Sequence, residues 1–458
     1  MRIAQIIHGF LPENSAGSEL YVYYLSKELA KRHSLSIFSR IADRAFAEYA
    51  VVADTFDGLP VFKINNTFRE CDSFQKTYRN DIIDKKFGEF LDLVRPDVVH
   101  FHHVTCLSTN LVRVAKERRL PVVFTLHDFW LICQRGQLVK RDLALCQGPQ
   151  PHECARCLAD QLSIRGGHQK VSQIYQKTKN VIGKELSRMK GFVKRLYLLQ
   201  AKLFFMSQRR AINQIHERTR HINEICALVD LFVSPSQFLR AKFMEYGIPP
   251  GKILFSKNGH QVSHFSAFEK RKSDRVRFGY VGTLIPTKGA HVLIEAFNGV
   301  RSGEAELKVY GRFLPYGGFE DYPDLLPRLV RNERIRFLGE YQHSQISDIM
   351  AEIDVLVVPS IWHENSPLTI HEAFLAKTPV IASNIGGMAE LVQDGVNGLL
   401  FKVGDIADLR KKITMIVQHP DLISKLSANI GPVKTIEENA VEVEKIYQDL
   451  IAQFRAVC

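Results

Sequence analysis

The sequence predicts an α/β protein made of two doubly wound units that face a cleft. Short, continuous apolar runs of strand length recur along the chain, which is how strands buried on both faces of a parallel sheet read. Segments with apolar residues at helical spacing lie between them, so strand and helix alternate. Length sets the number of units: 458 residues suit two or three domains of roughly 100–200 residues each.

In the first half, strand runs are expected at 3–8, 35–39, 97–102, 122–127 and 231–234. Helical patterns are expected from Leu20 to Leu29 and over 111–118. The second half repeats the scheme, with strands at 278–281, 307–310, 335–338, 355–358 and 380–382 and helices over 291–300, 346–352 and 368–376. The aperiodic polar stretch 258–272 marks the change between halves. The expected division is 1–257, 258–436, and a last helix in 437–458 that packs back on the first domain. That helix carries apolar residues at Val441, Val443, Ile446, Tyr447, Leu450 and Ile451.

Composition excludes several classes. A hydrophobic fraction of 45% and a charged fraction of 24% belong to a folded globular chain rather than a disordered tail. No window approaches the ~18 uninterrupted apolar residues of a spanning helix. The N-terminal apolar run, broken by His8, Pro12 and Glu13, is too short for a secretory leader. The expected location is the cytoplasm. The net charge of +12 is concentrated: residues 165–222 hold 14 Lys or Arg and two acids, and the remainder is balanced. Within that segment Val193, Leu196, Tyr197, Leu199, Leu203 and Phe204 recur at helical spacing. A basic amphipathic helix suits an anionic membrane surface, here the inner face. A solvated helix packed on its own domain is the competing reading. Nucleic acid is disfavoured, since no nucleic-acid motif accompanies the charge.

The strongest local signal is HENSPLTIHEAF, residues 363–374, after the strand VLVVPS. Ser366 suits an N-cap and Pro367 a first helical position. A helix would then open at the carboxyl edge of a parallel sheet, where α/β folds bind ligands and a helix N-terminus attracts phosphate. Glu364 and Glu372 would flank that point, unless this is only a capped surface helix. In GYVGTLIPTKGAHVLIEAF, Gly282 ends a strand and Lys288 precedes a helix. Lys288 could neutralise a diphosphate, or be a solvated Lys; the spacing is not that of a Walker loop. Gly17 opens the first helix, where backbone could approach a ligand. His127 ends a strand beside Asp128 and could contact a sugar hydroxyl, although a lone His is more often structural.

In order and spacing these pieces resemble the retaining glycosyltransferases of family 4 (glycosyl transferases group 1), which have the two-domain GT-B fold. Glu364 and Glu372 fit the family's E-x7-E signature. Lys288 fits its "KG" lysine, His127 the His after the fourth strand, and Gly17 the Gly-containing first loop. NIGGMAELVQDGVNGLLF and SKNGHQ fit further blocks. The resemblance covers about 1–130 and 230–430. It implies sugar transfer from a nucleotide-sugar with retention, in surface polysaccharide or glycolipid synthesis, on a sugar or lipid-linked acceptor, with no cofactor needed for catalysis. It further implies that Lys288 holds the diphosphate and Glu372 the ribose. Glu364, Asn365, Ser366, Pro367 and Leu368 face the donor, and His127 reaches the transferred sugar. Gly282, Thr283 and Arg312 line the donor loops. Thr283 stands where the family usually has Arg, and Arg312 where a second Gly is common. Other readings are a GT-B enzyme of another reaction, such as an epimerase or phosphorylase, and a basic binding module with an inactive cleft.

Cys133, Cys146, Cys154 and Cys157 are spaced C-x12-C-x7-C-x2-C in a loop containing Gly148 and Pro149. Cytoplasmic cysteines at this density point to a structural zinc, or else to four unrelated thiols.

Overall fold

The computed structural model describes residues 1–159, 190–301 and 304–457. Side chains at 190–207 and at 457 are outside that description. So are Arg165, Lys170, Lys177, Lys179, Lys184 and Arg188 of the basic segment, and the side chains of its apolar stripe.

The described strands form two sheets. The first contains β1 (Arg2–Ile6), β2 (Ser34–Ile41), β3 (Val51–Phe56), β4 (Leu59–Asn65), β5 (Val98–Phe101), β6 (Val122–Thr125), β7 (Leu231–Ser234) and β8 (Ile253–Phe255), in the order β3-β4-β2-β1-β5-β6-β7-β8. The second contains β9 (Val276–Val281), β10 (Ala305–Tyr310), β11 (Ile335–Gly339), β12 (Val355–Val358), β13 (Val380–Ser383) and β14 (Gly398–Phe401), in the order β11-β10-β9-β12-β13-β14. Every pairing is parallel except the β3–β4 edge hairpin. The expected doubly wound architecture in two halves is therefore observed.

That hairpin was not expected from the apolar runs. Its turn is Asp57–Gly58, both residues with positive φ (47° and 79°), the requirement of a tight hairpin whose twist matches its strands. The strand β3 is largely exposed, so it offered no apolar run. Strands β8 and β14 and the helices Asp81–Val94 and Ile406–Gln418 were likewise unanticipated.

Apolar residues cover both faces of each sheet, as parallel strands require. The last helix, Ile436–Val457, lies across the first sheet. Its buried positions Ile436, Ala440, Val443, Tyr447 and Leu450 pack with Ile3, Ile7, Val22, Leu25 and Leu29. The stripe runs through Ala440 rather than Val441, which is 57% exposed. The small alanine permits close approach of this helix to Gly17–Ala30, against which it packs. Among the described residues no helix is long and apolar enough to cross a membrane.

Candidate functional site

The carboxyl ends of the two sheets face each other across a cleft of about 650 Å³. It is lined by Gly17 and His127 from one half and by Gly282, Thr283, Lys288, Arg312, Glu364, Asn365, Ser366, Pro367, Leu368 and Glu372 from the other. Every residue singled out from sequence for donor binding or catalysis thus lies on one cavity.

Two helix N-termini meet there. Gly17 opens Gly17–Ala30 and Leu368 opens Leu368–Leu375. A Cβ on Gly17 would lie 3.9 Å from the Leu368 Cβ. Each terminus contributes partial positive charge, so the gap between them favours an anion. The helix start differs from expectation. Pro367 is the cap residue, with no side-chain cap bond, and Ser366 Oγ instead pairs with His371 Nε2 at 2.9 Å. Within the helix His371 is fully enclosed and pushed down to about 3 by burial, so it is neutral and can share a hydrogen bond with that hydroxyl.

Lys288 ends the short 3-10 turn Pro286–Lys288. Gly289 follows at φ 73°, and a Cβ there would sit 1.9 Å from the Pro359 carbonyl oxygen. Only glycine lets this turn press against the end of β12, which brings Lys288 beside the loop after that strand. Lys288 Nζ then donates to Glu364 Oε1 at 2.5 Å. The same oxygen accepts from Ser360 Oγ at 2.8 Å and Trp362 Nε1 at 2.9 Å. Glu364 is buried and Lys288 is partly open to the cleft. A buried carboxylate needs such partners, and the lysine remains the accessible charge.

Glu372, also buried, meets His343 Nε2 at 2.6 Å through Oε1. His343 Nδ1 is 3.2 Å from Tyr24 Oη, which is 3.0 Å from His264 Nε2. Tyr24 belongs to the first half, so this chain bridges the cleft. Asn365 Nδ2 makes a second bridge by donating to the His127 carbonyl at 2.8 Å. Arg312 forms an exposed pair with Glu340 at 3.1 Å, and both residues line the cleft. Its neighbour Gly311 has φ 150°, and a Cβ there would lie 1.8 Å from the Gly282 carbonyl oxygen. The loops after β9 and β10 touch at that point. Thr283 offers its carbonyl to Tyr280 Oη at 2.7 Å.

The cleft also holds residues that sequence reasoning passed over. His8 Nε2 lies 3.3 Å from Glu19 Oε1, and His103 Nε2 lies 3.1 Å from Asp128 Oδ2. Burial holds the His8 imidazole well below its usual range and raises Glu19. The available signal was polarity inside strand runs: His8, His100, His102 and His103 interrupt or follow otherwise apolar stretches.

The four expected zinc ligands, Cys133, Cys146, Cys154 and Cys157, line a second, small cavity. All four are unpaired thiols. Among the described residues no three His, Cys, Asp or Glu stand together as a group that could hold a metal ion. Cys146 Sγ turns to the Gly148 carbonyl at 3.3 Å, and burial pushes the Cys154 thiol up to about 11. Arg218, counted from sequence within the basic surface, is instead buried against this cavity. It donates to the Trp130 carbonyl at 2.6 Å and stacks 5.1 Å from the Trp130 ring.

Two facing doubly wound halves with the ligand cleft between their carboxyl edges define the GT-B fold. Solved structures share it over nearly the whole chain. Sucrose-phosphate synthase from Thermosynechococcus elongatus superposes with TM-score 0.66 at 18% identity, covering 99% of each chain. HepE of Anabaena, in complex with UDP and glucose, gives 0.58 at 18%, again covering 99% of each. Family models match both halves: Glycosyltransferase Family 4 at residues 15–148, and Glycosyl transferases group 1 at residues 263–431. The chain belongs to glycosyltransferase family 4. Among curated relatives, D-inositol 3-phosphate glycosyltransferase of Actinosynnema mirum is 29% identical over 203 residues, 40% of this chain and 48% of that protein. An uncharacterised glycosyltransferase of Methanocaldococcus jannaschii is 29% identical over 176 residues, 37% and 47%. The chain therefore spans about half the length of these two. An uncharacterised 42.6 kDa protein from the cps region of Klebsiella pneumoniae is 21% identical over 410 residues, 87% and 89%.

Proposed function

We propose that this protein transfers a sugar from a nucleotide-sugar to an acceptor with retention at the anomeric carbon, in surface polysaccharide or glycolipid synthesis. The observation that carries the reading is the placement of Lys288. A cation held on a buried carboxylate, beside two converging helix N-termini, is an anion site tuned for charge that develops at a diphosphate. On binding, the diphosphate takes Lys288 from Glu364 or shares it. Glu372 gives up His343 to accept from ribose hydroxyls. His127 reaches the sugar from the opposite half. Glu364 Oε1 already accepts three hydrogen bonds, which suits charge balance better than nucleophilic attack. The acceptor then enters on the face the leaving diphosphate vacates.

The Klebsiella relative's cps-region name supports a polysaccharide role, and the UDP-bound neighbour makes uridine diphosphate sugars the first donors to test. The test is a thermal-shift panel of nucleotide-sugars with UDP-glucose included, followed by measurement of nucleotide release. A donor that raises the melting temperature and is slowly hydrolysed supports the proposal, since a ligand of the native state stabilises by mass action. No shift with any member would overturn it.

A further inference from the structure

Three polar side chains lie fully buried in the middle of the first sheet: Gln5 of β1, His100 of β5 and His102 just beyond it. Gln5 and His100 are register partners. Central strands of a parallel sheet are normally apolar, and a buried polar group without a partner is destabilising. Here each is bonded in one continuous chain. His127 Nε2 lies 3.3 Å from His102 Nδ1, and His102 Nε2 lies 2.7 Å from Gln5 Oε1. Gln5 Nε2 donates to Tyr447 Oη at 3.2 Å. Tyr447 Oη lies 2.6 Å from His100 Nδ1, and His100 Nε2 lies 2.7 Å from Thr125 Oγ1.

The Gln5 amide gives this chain a direction, because its nitrogen only donates and its oxygen only accepts. Its oxygen faces His102 Nε2, so that nitrogen carries the proton. His102 Nδ1 is then a bare acceptor, and the proton between the two rings belongs to His127 Nε2. On the other side Tyr447 accepts from Gln5 and donates to His100. One proton order satisfies every member. The ring of His127 lines the cleft, its Nε2 is committed inward, and Nδ1 is left for a ligand. Burial keeps His100 and His127 neutral, so each ring has a definite tautomer.

We propose that Gln5 and Tyr447 are positioning residues that hold His127 as its Nε2–H tautomer, so that Nδ1 offers a lone pair to a hydroxyl of the transferred sugar. This rests on the transferase reading for the identity of the ligand, but not for the tautomer. Through Tyr447, the last helix, Ile436–Val457, sets the polarity of a group in the cleft.

The test uses the full chain with 15N-labelled histidine and two-bond proton–nitrogen correlation at pH 7.5, the His127 signals being assigned by their loss in His127→Asn. In the wild type, Nε2 should be protonated and Nδ1 bare. In Tyr447→Phe, which keeps the ring's packing, the His127 nitrogen shifts should move toward the average of two tautomers. A protonated Nδ1 in the wild type would overturn the proposal, as would an unchanged His127 spectrum in folded Tyr447→Phe. If that variant does not fold, the wild-type spectrum alone decides. Donor hydrolysis, with whichever nucleotide-sugar the panel identifies, gives the second measurement. Tyr447→Phe should lower kcat about fivefold to tenfold with little change in KM, the scale of one weakened hydrogen bond. A loss confined to KM, or none, would count against it. If no nucleotide-sugar is turned over, the transferase reading fails while the nitrogen shifts still decide the tautomer.

Discussion

Lys288 carries the heaviest functional claim of any single residue. Lys288→Ala is expected to lower donor turnover by at least ~100-fold, the scale of removing one oriented electrostatic stabiliser. It also strips the buried Glu364 of its cation, so the ligand-free melting temperature should fall as well. Steady-state rates and a thermal melt on the same preparation check both, and a variant with normal rate and normal melt would refute this placement of the anion site. Gly311 makes a different claim. With φ 150° and the Gly282 carbonyl 1.8 Å from any added Cβ, Gly311→Ala must push the loops after β9 and β10 apart. Backbone strain of this kind costs on the order of 1–3 kcal/mol before the clash is counted. Urea unfolding should show a loss at or above that range. These residues differ in how visible they were. Lys288 and the two glutamates were singled out because they follow strand signals, while the roles expected of them rest on the resemblance to family motifs. Gly311 was not, because its need for glycine arises from the carbonyl of Gly282, in a different loop.

Helix ends carry the second class of prediction. The helix Gln237–Glu245 is capped by its own Ser236, whose Oγ accepts from Leu239 N at 3.1 Å. Its first amides, of Gln237 and Phe238, also donate to the carboxylate of Glu390, which belongs to the other half. A carboxylate at a helix N-terminus stabilises by roughly 0.3–1 kcal/mol when exposed, as Glu390 is. Glu390→Ala should therefore lower the urea midpoint slightly, and the difference from the wild type should shrink at high salt, which screens the same charge. The strand pattern was read well at most strands buried on both faces, with the short edge strand β14 an exception. It failed at β3, whose mostly exposed face left no apolar signature. The Asp57–Gly58 turn signal was present and could have recovered the hairpin.

At the scale of the whole molecule, the buried histidines link stability to pH. Burial lowers His100, His127 and His371 to about 3, and holds His8, His102 and His260 well below their usual value. The unfolded chain then binds more protons than the native one below ~6.5, so stability rises with pH through that window. The contribution is complete above pH ~6.5 and is lost progressively as pH falls toward 3. Asp84, raised to about 6 by burial, runs the other way between about pH 4 and 6, and Glu19, also raised by burial, adds to it, two groups against several. Urea midpoints should fall steadily from pH 7 to pH 5; a flat profile would contradict the neutral assignment. The basic segment makes the other prediction at this scale. A few Lys or Arg near an anionic bilayer contribute ~1 kcal/mol each, so the protein should co-sediment with anionic liposomes at low salt and not with neutral ones. Replacing Lys190, Lys194, Arg195 and Lys202 with Gln should reduce that binding and spare donor hydrolysis. Failure of the wild type to bind anionic vesicles would leave this segment as a solvated or self-packed helix.

The sequence by itself determined the two-unit α/β plan and the set of residues on the cleft, because both follow from local regularities. Apolar runs report burial on two faces, and motif spacing reports where a loop leaves a strand. Tertiary structure decided what those residues touch. Glu364 pairs with Lys288 from 76 positions away, Glu372 meets His343, and Arg218 leaves the basic surface for the interior. It also decided that Gln5, unremarkable within the short run Ile3 to Ile7, meets Tyr447 at a separation of 442 residues. Contacts of that range depend on how two sheets and a returning helix pack, and no local periodicity encodes them.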